Sequence, residues 1–308
     1  MKRLADTLEV SPPFSLALTA GTLTYFQGRV GADCFENGVY RRALETEEGI
    51  ALLSVQDVGS VDAPILELTV SAKDLVRSEA LRAVDTCRHM FAADVNLNPY
   101  YDKVSDDPVL TAANKTLRGL HPPRLPTVFE GLVFAICGQQ VSSIVARQIR
   151  TLIVEKYGQP LNKDGVVYHS FPSPRRLLDA GLEGLLAVKL SMRKAEYILG
   201  IASKAVEGKL AMSTLAALPD EQVVAYLDAL RGVGPWSAEW VLLRAIGRQD
   251  VFPAGDLALR RILSERYHSG QEVSESEARR FAARWIPFRG IATAYLFAAE
   301  RLTSKRRR

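Results

Sequence analysis

Two short stretches constrain this chain more than its composition does. They are LRGVGPW, from Leu230 to Trp236, and VFPAGDLALRR, from Val251 to Arg261. Before the first, Asp220 to Leu230 carries Val223, Val224, Leu227 and Leu230 at helical spacing. Gly232 and Gly234 allow positive φ, so the chain is expected to reverse there without strain. Pro235 suits the first position of a second helix, where its missing N–H costs nothing. That helix is expected to run to about Ile246, with Ala238, Val241, Leu242 and Ala245 on one face and Gly247 as its stop. Its first amides point outward and can receive a phosphate. Taken alone, the stretch reads equally well as a plain αα-hairpin with glycines in its turn.

The second stretch shifts that balance. VFP is an extended approach, and a new helix starts after Asp256, with Leu259, Ile262 and Leu263 sharing a face. Asp256 therefore stands at an N-cap, a role worth about 1 kcal/mol. Capping the helix and serving as a reactive carboxylate do not exclude each other.

A GVG hairpin followed by this Asp resembles the helix–hairpin–helix DNA glycosylase superfamily, in its DNA-3-methyladenine glycosylase II branch. The likeness covers Asp107 to Phe297 and is weaker before that. Other stretches that carry it are Asp107-Pro108-Val109-Leu110, Gly119-Leu120, the GQQVS loop from Gly138 to Ser142, and Met192-Arg193-Lys194-Ala195. The resemblance implies an α+β fold. An N-terminal antiparallel sheet with a packed helix would be followed by a mostly helical, two-lobed core that carries the helix–hairpin–helix motif.

It also implies residue roles. Asp256 would be the catalytic carboxylate. Trp236, Trp240 and Phe297 would face an extruded base. Gln140 would fill the gap that the base leaves, with Gln139, Gly232, Gly234 and Ser237 as further DNA contacts. Backbone carbonyls of Asp228, Leu230 and Val233 would hold a Na⁺ or K⁺; no other cofactor is implied. Without the resemblance, Gln139 and Gln140 read as caps of adjoining helices, and the aromatics as core. Leu257 stands where some relatives carry an aromatic. Family members that also cut the strand use a lysine just after the hairpin glycines to form a Schiff base. Here that place is Trp236, and no lysine occurs between Lys209 and Lys305. The expected enzyme is monofunctional and leaves an abasic site.

The chemistry fits a single acid. A base must leave the stack before a side chain reaches its glycosidic bond. Cleavage then builds positive charge on the sugar, which a fixed carboxylate stabilises. Bases such as 3-methyladenine or 7-methylguanine are already cationic and leave without a strong general acid. An indole face attracts such a base by roughly 0.5–2 kcal/mol. Hypoxanthine or another lesion remains open as substrate. A non-enzymatic helix–hairpin–helix binder would explain the glycines but not Asp256 together with the aromatics.

The chain has 308 residues and a net charge of +4. Residues 1–95 hold 9 Lys+Arg against 14 Asp+Glu, leaving 30 against 21 for the rest. The basic part is the part with the hairpin, as expected for a surface meeting double-stranded DNA. Asp6 and Glu9 break any leader-like apolar run, and no segment is apolar enough to span a membrane. Cys34, Cys87 and Cys137 lie too far apart for a metal-site spacing, and their odd number suits reduced thiols. A cytoplasmic, nucleoid-associated monomer is expected.

Residues 1–95 read as the sheet unit. Phe14, Leu16, Leu18 and Ala20 alternate like a strand, as do Leu66, Leu68 and Val70. Val39–Glu45 and Ile50–Val58 suggest a hairpin. Asp74 to Phe91 reads as a helix burying Leu81, Val84 and Cys87. Asp94 to Pro126 reads as a connector. The core is then expected as one helical lobe over 125–249, and a second from 96–124 with 250–308. Thr127 with Glu130 and Ser274 with Glu277 read as capping boxes. After GQQVS, a helix to Tyr157 is expected to turn Val145, Ile149, Leu152 and Ile153 to one face. Arg193 and Lys194 are candidates for phosphate contact. Gly290 to Leu302 reads as the last helix, with a disordered basic tail from Ser304 to Arg308.

Overall fold

The computed structural model describes residues 1–47 and 49–306, with side chains of the last helix as far as Thr303. Six strands form one antiparallel sheet in the order β1-β6-β5-β4-β3-β2. They are β1 (Lys2–Leu8), β2 (Arg29–Val30), β3 (Asp33–Glu36), β4 (Val39–Thr46), β5 (Gly49–Asp57) and β6 (Leu66–Ala72). The hairpin read from the sequence is β4–β5, in register with Tyr40 opposite Val55 and Leu44 opposite Ala51.

The Phe14–Ala20 alternation is not a strand. Ser15 accepts the Leu18 N–H at 3.3 Å and starts helix α1 (Leu16–Leu23). The residues it buries include Leu16, Thr19, Ala20 and Leu23, a helical spacing that the smaller Ser15 and Ala17 between the larger Phe14, Leu16 and Leu18 disguise as a period of two. Helix α2 (Arg77–Met90) starts later than expected and buries Ala80, Ala83, Cys87 and Met90. That stripe rotates Leu81 outward, where it is 45% exposed. Together α1 and α2 seal a core with Leu53, Val55, Leu68 and Val70 of the sheet.

The expected connector holds two helices, α3 (Asn98–Lys103) and α4 (Pro108–Thr116). Asp107 caps α4 and also accepts from Tyr267 Oη and Trp285 Nε1, fixing it to the C-terminal lobe. Next come α5 (Val128–Gly138) and α6 (Ser143–Tyr157). A small hairpin, β7 (Pro160–Lys163) with β8 (Val166–His169), follows. Its Leu161 and Tyr168 pack on Leu52 of β5. This hairpin is not among the elements expected from the sequence. Then come α7 (Pro174–Leu186), α8 (Met192–Val206), α9 (Met212–Ala216), α10 (Asp220–Asp228) and α11 (Pro235–Val241). Helix α11 runs on as a π-helical turn, Leu242–Ile246, and Gly247 stops it with φ 86°. The last helices are α12 (Leu257–Tyr267), α13 (Glu275–Ala282) and α14 (Arg289–Arg306).

Two further cores lie beneath these helices. One joins α5 to α11, with Leu132, Ile136, Ile153, Ile198 and Val241 among its members. The other joins α3, α4 and α12 to α14 through Tyr100, Leu110, Leu259, Trp285 and Tyr295. Helix α14 continues through Arg306, so the first part of the expected disordered tail is helical; Arg307 and Arg308 lie outside the described residues.

Two capping expectations part company. Ser274 and Glu277 form the full reciprocal box. Thr127 does accept the Glu130 N–H at 3.0 Å, but the Glu130 side chain turns away. It is 2% exposed and meets Arg42 Nη2 at 2.6 and 2.8 Å. Arg42 Nη1 also holds Asp33 at 2.8 Å, and Tyr40 Oη donates to the same oxygen at 2.5 Å. This buried ionic group ties the sheet to α5. Burial and the charge of Asp33 push the Glu130 carboxyl above its usual value against the opposing pull of Arg42.

Candidate active site

The hairpin between α10 and α11 turns on one glycine. Gly232 has φ 88°, and a Cβ there would strike the Tyr197 ring of α8. Gly234 does not share that role. Its φ is −106° with ψ 179°, ordinary extended backbone at the N-cap of α11, and its carbonyl accepts the Ala238 N–H at 3.0 Å. Pro235 opens the helix, as its fixed φ and missing donor favour. The Leu230 carbonyl accepts the Val233 N–H at 3.0 Å within the turn.

Asp256 caps α12 as expected: Oδ1 accepts the Leu259 N–H at 3.0 Å. Its other oxygen, Oδ2, accepts Trp236 Nε1–H at 3.0 Å. That bond crosses from the hairpin lobe to the C-terminal lobe. Both carboxylate oxygens are therefore fixed by protein donors, while the residue stays half-exposed. Trp236 lies beside two glycines. A Cβ on Gly255 would stand 3.7 Å from Trp236 Cβ, and one on Gly138 would stand 3.8 Å from Trp236 Cη2. The adjacent Leu257 is 74% exposed beside the carboxylate.

The GQQVS loop joins this group. Gln139 Nε2 donates to the Gly232 carbonyl at 2.8 Å and to Ser237 Oγ at 3.2 Å. Gln139 thus braces the hairpin from behind. Ser237 is only 1% exposed, so its hydroxyl serves that brace and does not meet a ligand. Gln140 is exposed and has left-handed backbone, with φ 54°. Lys194, expected on the surface, instead donates Nζ to the carbonyls of Cys137 at 3.1 Å and Gln139 at 2.6 Å. Burial holds its ammonium below the usual lysine value. Val145 lies outside the buried stripe of α6 and is 41% exposed, as Ile144 is at 43%.

Trp240 and Phe297 are half-buried, and each packs on the core of its own lobe. The site residues that the structure joins by hydrogen bonds are Asp256, Trp236, Gln139, Gly232 and Ser237. No group of three or more His, Cys, Asp or Glu among the described residues is placed to hold a metal ion. All three cysteines are buried and free. No described helix is long and apolar enough to cross a membrane.

Residues 133–288 match the family described as the HhH-GPD superfamily base excision DNA repair protein. The chain belongs to that family. The matched span includes Gln139, Trp236 and Asp256. Among relatives of the HhH-GPD chain, DNA-3-methyladenine glycosylase of Bacillus subtilis is 25% identical over 85% of this chain and 86% of its own length. DNA-3-methyladenine glycosylase 2 of Escherichia coli is 31% identical over 59% of this chain and 61% of its own. The solved 3-methyladenine DNA-glycosylase of Archaeoglobus fulgidus superposes with a TM-score of 0.84 at 28% identity, covering 97% of this chain and 99% of that one. That superposition takes in the N-terminal sheet, which lies outside the span matched to the family.

Proposed function

We propose that the chain is a monofunctional DNA glycosylase that removes alkylated purines such as 3-methyladenine and 7-methylguanine and leaves an abasic site. The observation that carries this reading is the Asp256 carboxylate. It is half-exposed and held by fixed donors from two lobes. The names of the relatives support the alkylated-base assignment.

In this reading double-stranded DNA lies along the hairpin and the GQQVS loop, with Gln140 entering where a nucleotide has rotated out. The bond between C1′ and the base nitrogen breaks, and its electron pair leaves with the base, neutralising the base's charge. The sugar becomes an oxocarbenium ion, which Asp256 stabilises. Water adds to C1′ and loses its proton toward the same carboxylate. Because its oxygens are already oriented, Asp256 meets the developing charge without reorganising. Trp236 fixes the acid through its N–H, and its ring, with Trp240 and Phe297, supplies aromatic surface for the base. Gly232 and Gly234 let the backbone approach phosphate. The carbonyls of Asp228, Leu230 and Val233 are hard oxygen donors suited to Na⁺ or K⁺. A cation there would add positive charge at the start of α11.

The test compares base release from methylated DNA by wild type and Asp256→Asn, which keeps a capping side chain. Release is expected to fall by on the order of 10²–10³-fold while DNA binding persists. Equal release by both proteins removes Asp256 from the chemistry. Binding without release by either one favours a non-enzymatic binder. Borohydride treatment of the reaction is expected to trap no covalent adduct; a trapped adduct refutes the monofunctional assignment.

A further inference from the structure

Arginines surround Tyr25, the half-buried residue that follows α1. Tyr25 and Phe26 both have left-handed backbone, with φ 54° and 56°. That conformation costs roughly 1–2 kcal/mol per bulky residue, so the surrounding contacts must hold it in place. Arg150 Nη1 donates to the phenol oxygen at 3.0 Å. The guanidinium carbons of Arg301 and Arg147 stand 4.4 and 4.8 Å from the ring centroid. Arg244 lies close enough for its charge to act on the phenol. These side chains come from α6, the π-helical turn and α14, so both helical lobes contribute. Among the described residues, none of the four forms an ion pair with a carboxylate. The Nε atoms of Arg150 and Arg244 are buried without a partner. Burial and mutual repulsion bring Arg244 down to about 10 and lower Arg301 as well.

This cluster adjoins Asp256. A Cβ on Gly138 would stand 3.4 Å from Arg150 Nη2 and 3.8 Å from Trp236 Cη2, and Trp236 holds Asp256. Arg301 lies one turn past Phe297 on α14 and senses the charge of Asp256. Guanidiniums without carboxylate partners would repel a cationic base held beside Asp256.

We infer that Tyr25 is a specificity-determining positioning residue: its hydroxyl, held by Arg150 inside the arginine cluster, tunes the positive charge beside Asp256 and so the acceptance of a positively charged base. The inference rests on the glycosylase reading above. Burial, the largest single influence, pushes the Tyr25 phenol up. The summed fields of Arg150, Arg301 and Arg244 outweigh it and bring the phenol down to about 8. Besides the arginines, Asp256 acts on this group through Arg301, and Asp33 through Arg244. Each phenol that ionises takes one positive charge from the cluster.

The experiment measures release of cationic 3-methyladenine and neutral hypoxanthine by wild type, Tyr25→Phe and Arg147→Gln. Wild-type preference for the cationic base is expected to rise about tenfold from neutral to mildly alkaline pH. Tyr25→Phe should show no such rise while melting within a few degrees of wild type. Arg147→Gln, which removes one positive charge and leaves the phenol oxygen alone, should raise the preference already at neutral pH. The near-ultraviolet phenolate band of wild type should titrate with a midpoint near 8, and Tyr25→Phe should lack that step. A flat wild-type preference, a rise that persists in Tyr25→Phe, or no phenol ionising in this range overturns the inference. Wild type that releases neither base is a separate failure. It removes the glycosylase reading itself, and the inference falls with it.

Discussion

Replacing Arg42 by methionine tests what the buried ionic group contributes. Arg42 is 1% exposed and meets carboxylates that are 5% and 2% exposed. Methionine fills much of the space but leaves Asp33 and Glu130 facing each other with Tyr40 Oη as the donor to Asp33. Breaking one partner out of a buried pair costs about 3–5 kcal/mol, against a total stability of about 5–15 kcal/mol. At roughly 2–4 °C per kcal/mol for a chain of this size class, the melting temperature should fall by on the order of 10 °C at neutral pH. The sign of the pH dependence follows from Glu130. Its folded-state value already lies above the ordinary one, because burial outweighs Arg42. A raised carboxyl makes the folded state hold its proton more tightly, so its contribution is favourable at low pH and is lost as pH rises through the raised value. Without Arg42 the value climbs further. The deficit of Arg42→Met should therefore narrow as pH falls from about 8 to about 5, and adding Glu130→Gln at neutral pH should recover part of it. Thermal melts across that range decide the matter. A deficit that stays flat or widens in acid would refute the electrostatic account.

Other expectations concern the site. Gly232→Ala must force a Cβ into the Tyr197 ring at positive φ, costing about 1–3 kcal/mol and weakening DNA binding. Gly234→Ala, at φ −106° with open space around it, should be nearly neutral by thermal melt; equal damage from the two would contradict the assigned turn. Trp236→Phe keeps a ring but removes the donor to Asp256. Single-turnover base release should drop roughly tenfold to a hundredfold, as for loss of a charge-assisted bond, with DNA affinity little changed. Lys194→Met frees the carbonyls of Cys137 and Gln139. It should weaken DNA binding without altering the salt slope, whereas a slope reduced by about 0.9 would put Lys194 on a phosphate.

Much of the site was legible because its residues announce themselves by local chemistry. Pro235, Gly247 and the Asp256 cap need only their neighbours in sequence to define them. What escaped depends on residues distant in the chain. The inward turn of Gln139 is set by Gly232 and Ser237, roughly a hundred positions away. Lys194 left solvent because two carbonyls at the end of α5 offered it acceptors. Arg150 did leave a trace, since a charged residue at a position spaced with Ala146, Ile149 and Ile153 had to find buried partners. Tyr25 left none; it follows a segment whose period was itself misread. The segment expected as a strand over Phe14–Ala20 is helical from Leu16; over about two turns, large residues at every second position fit both periods.

Helix α5 has a fastening at each end. Near its first turn Glu130 is locked to the sheet, and just past its last turn Gln139 grips the hairpin. Its 11 residues span about 16 Å at 1.5 Å each, a stiff strut between the scaffold and the hairpin bend. A disturbance of the sheet would arrive at the bend as a displacement of that strut's far end. The N-terminal third of the molecule is in that sense a foundation whose settling sets the aim of the bend.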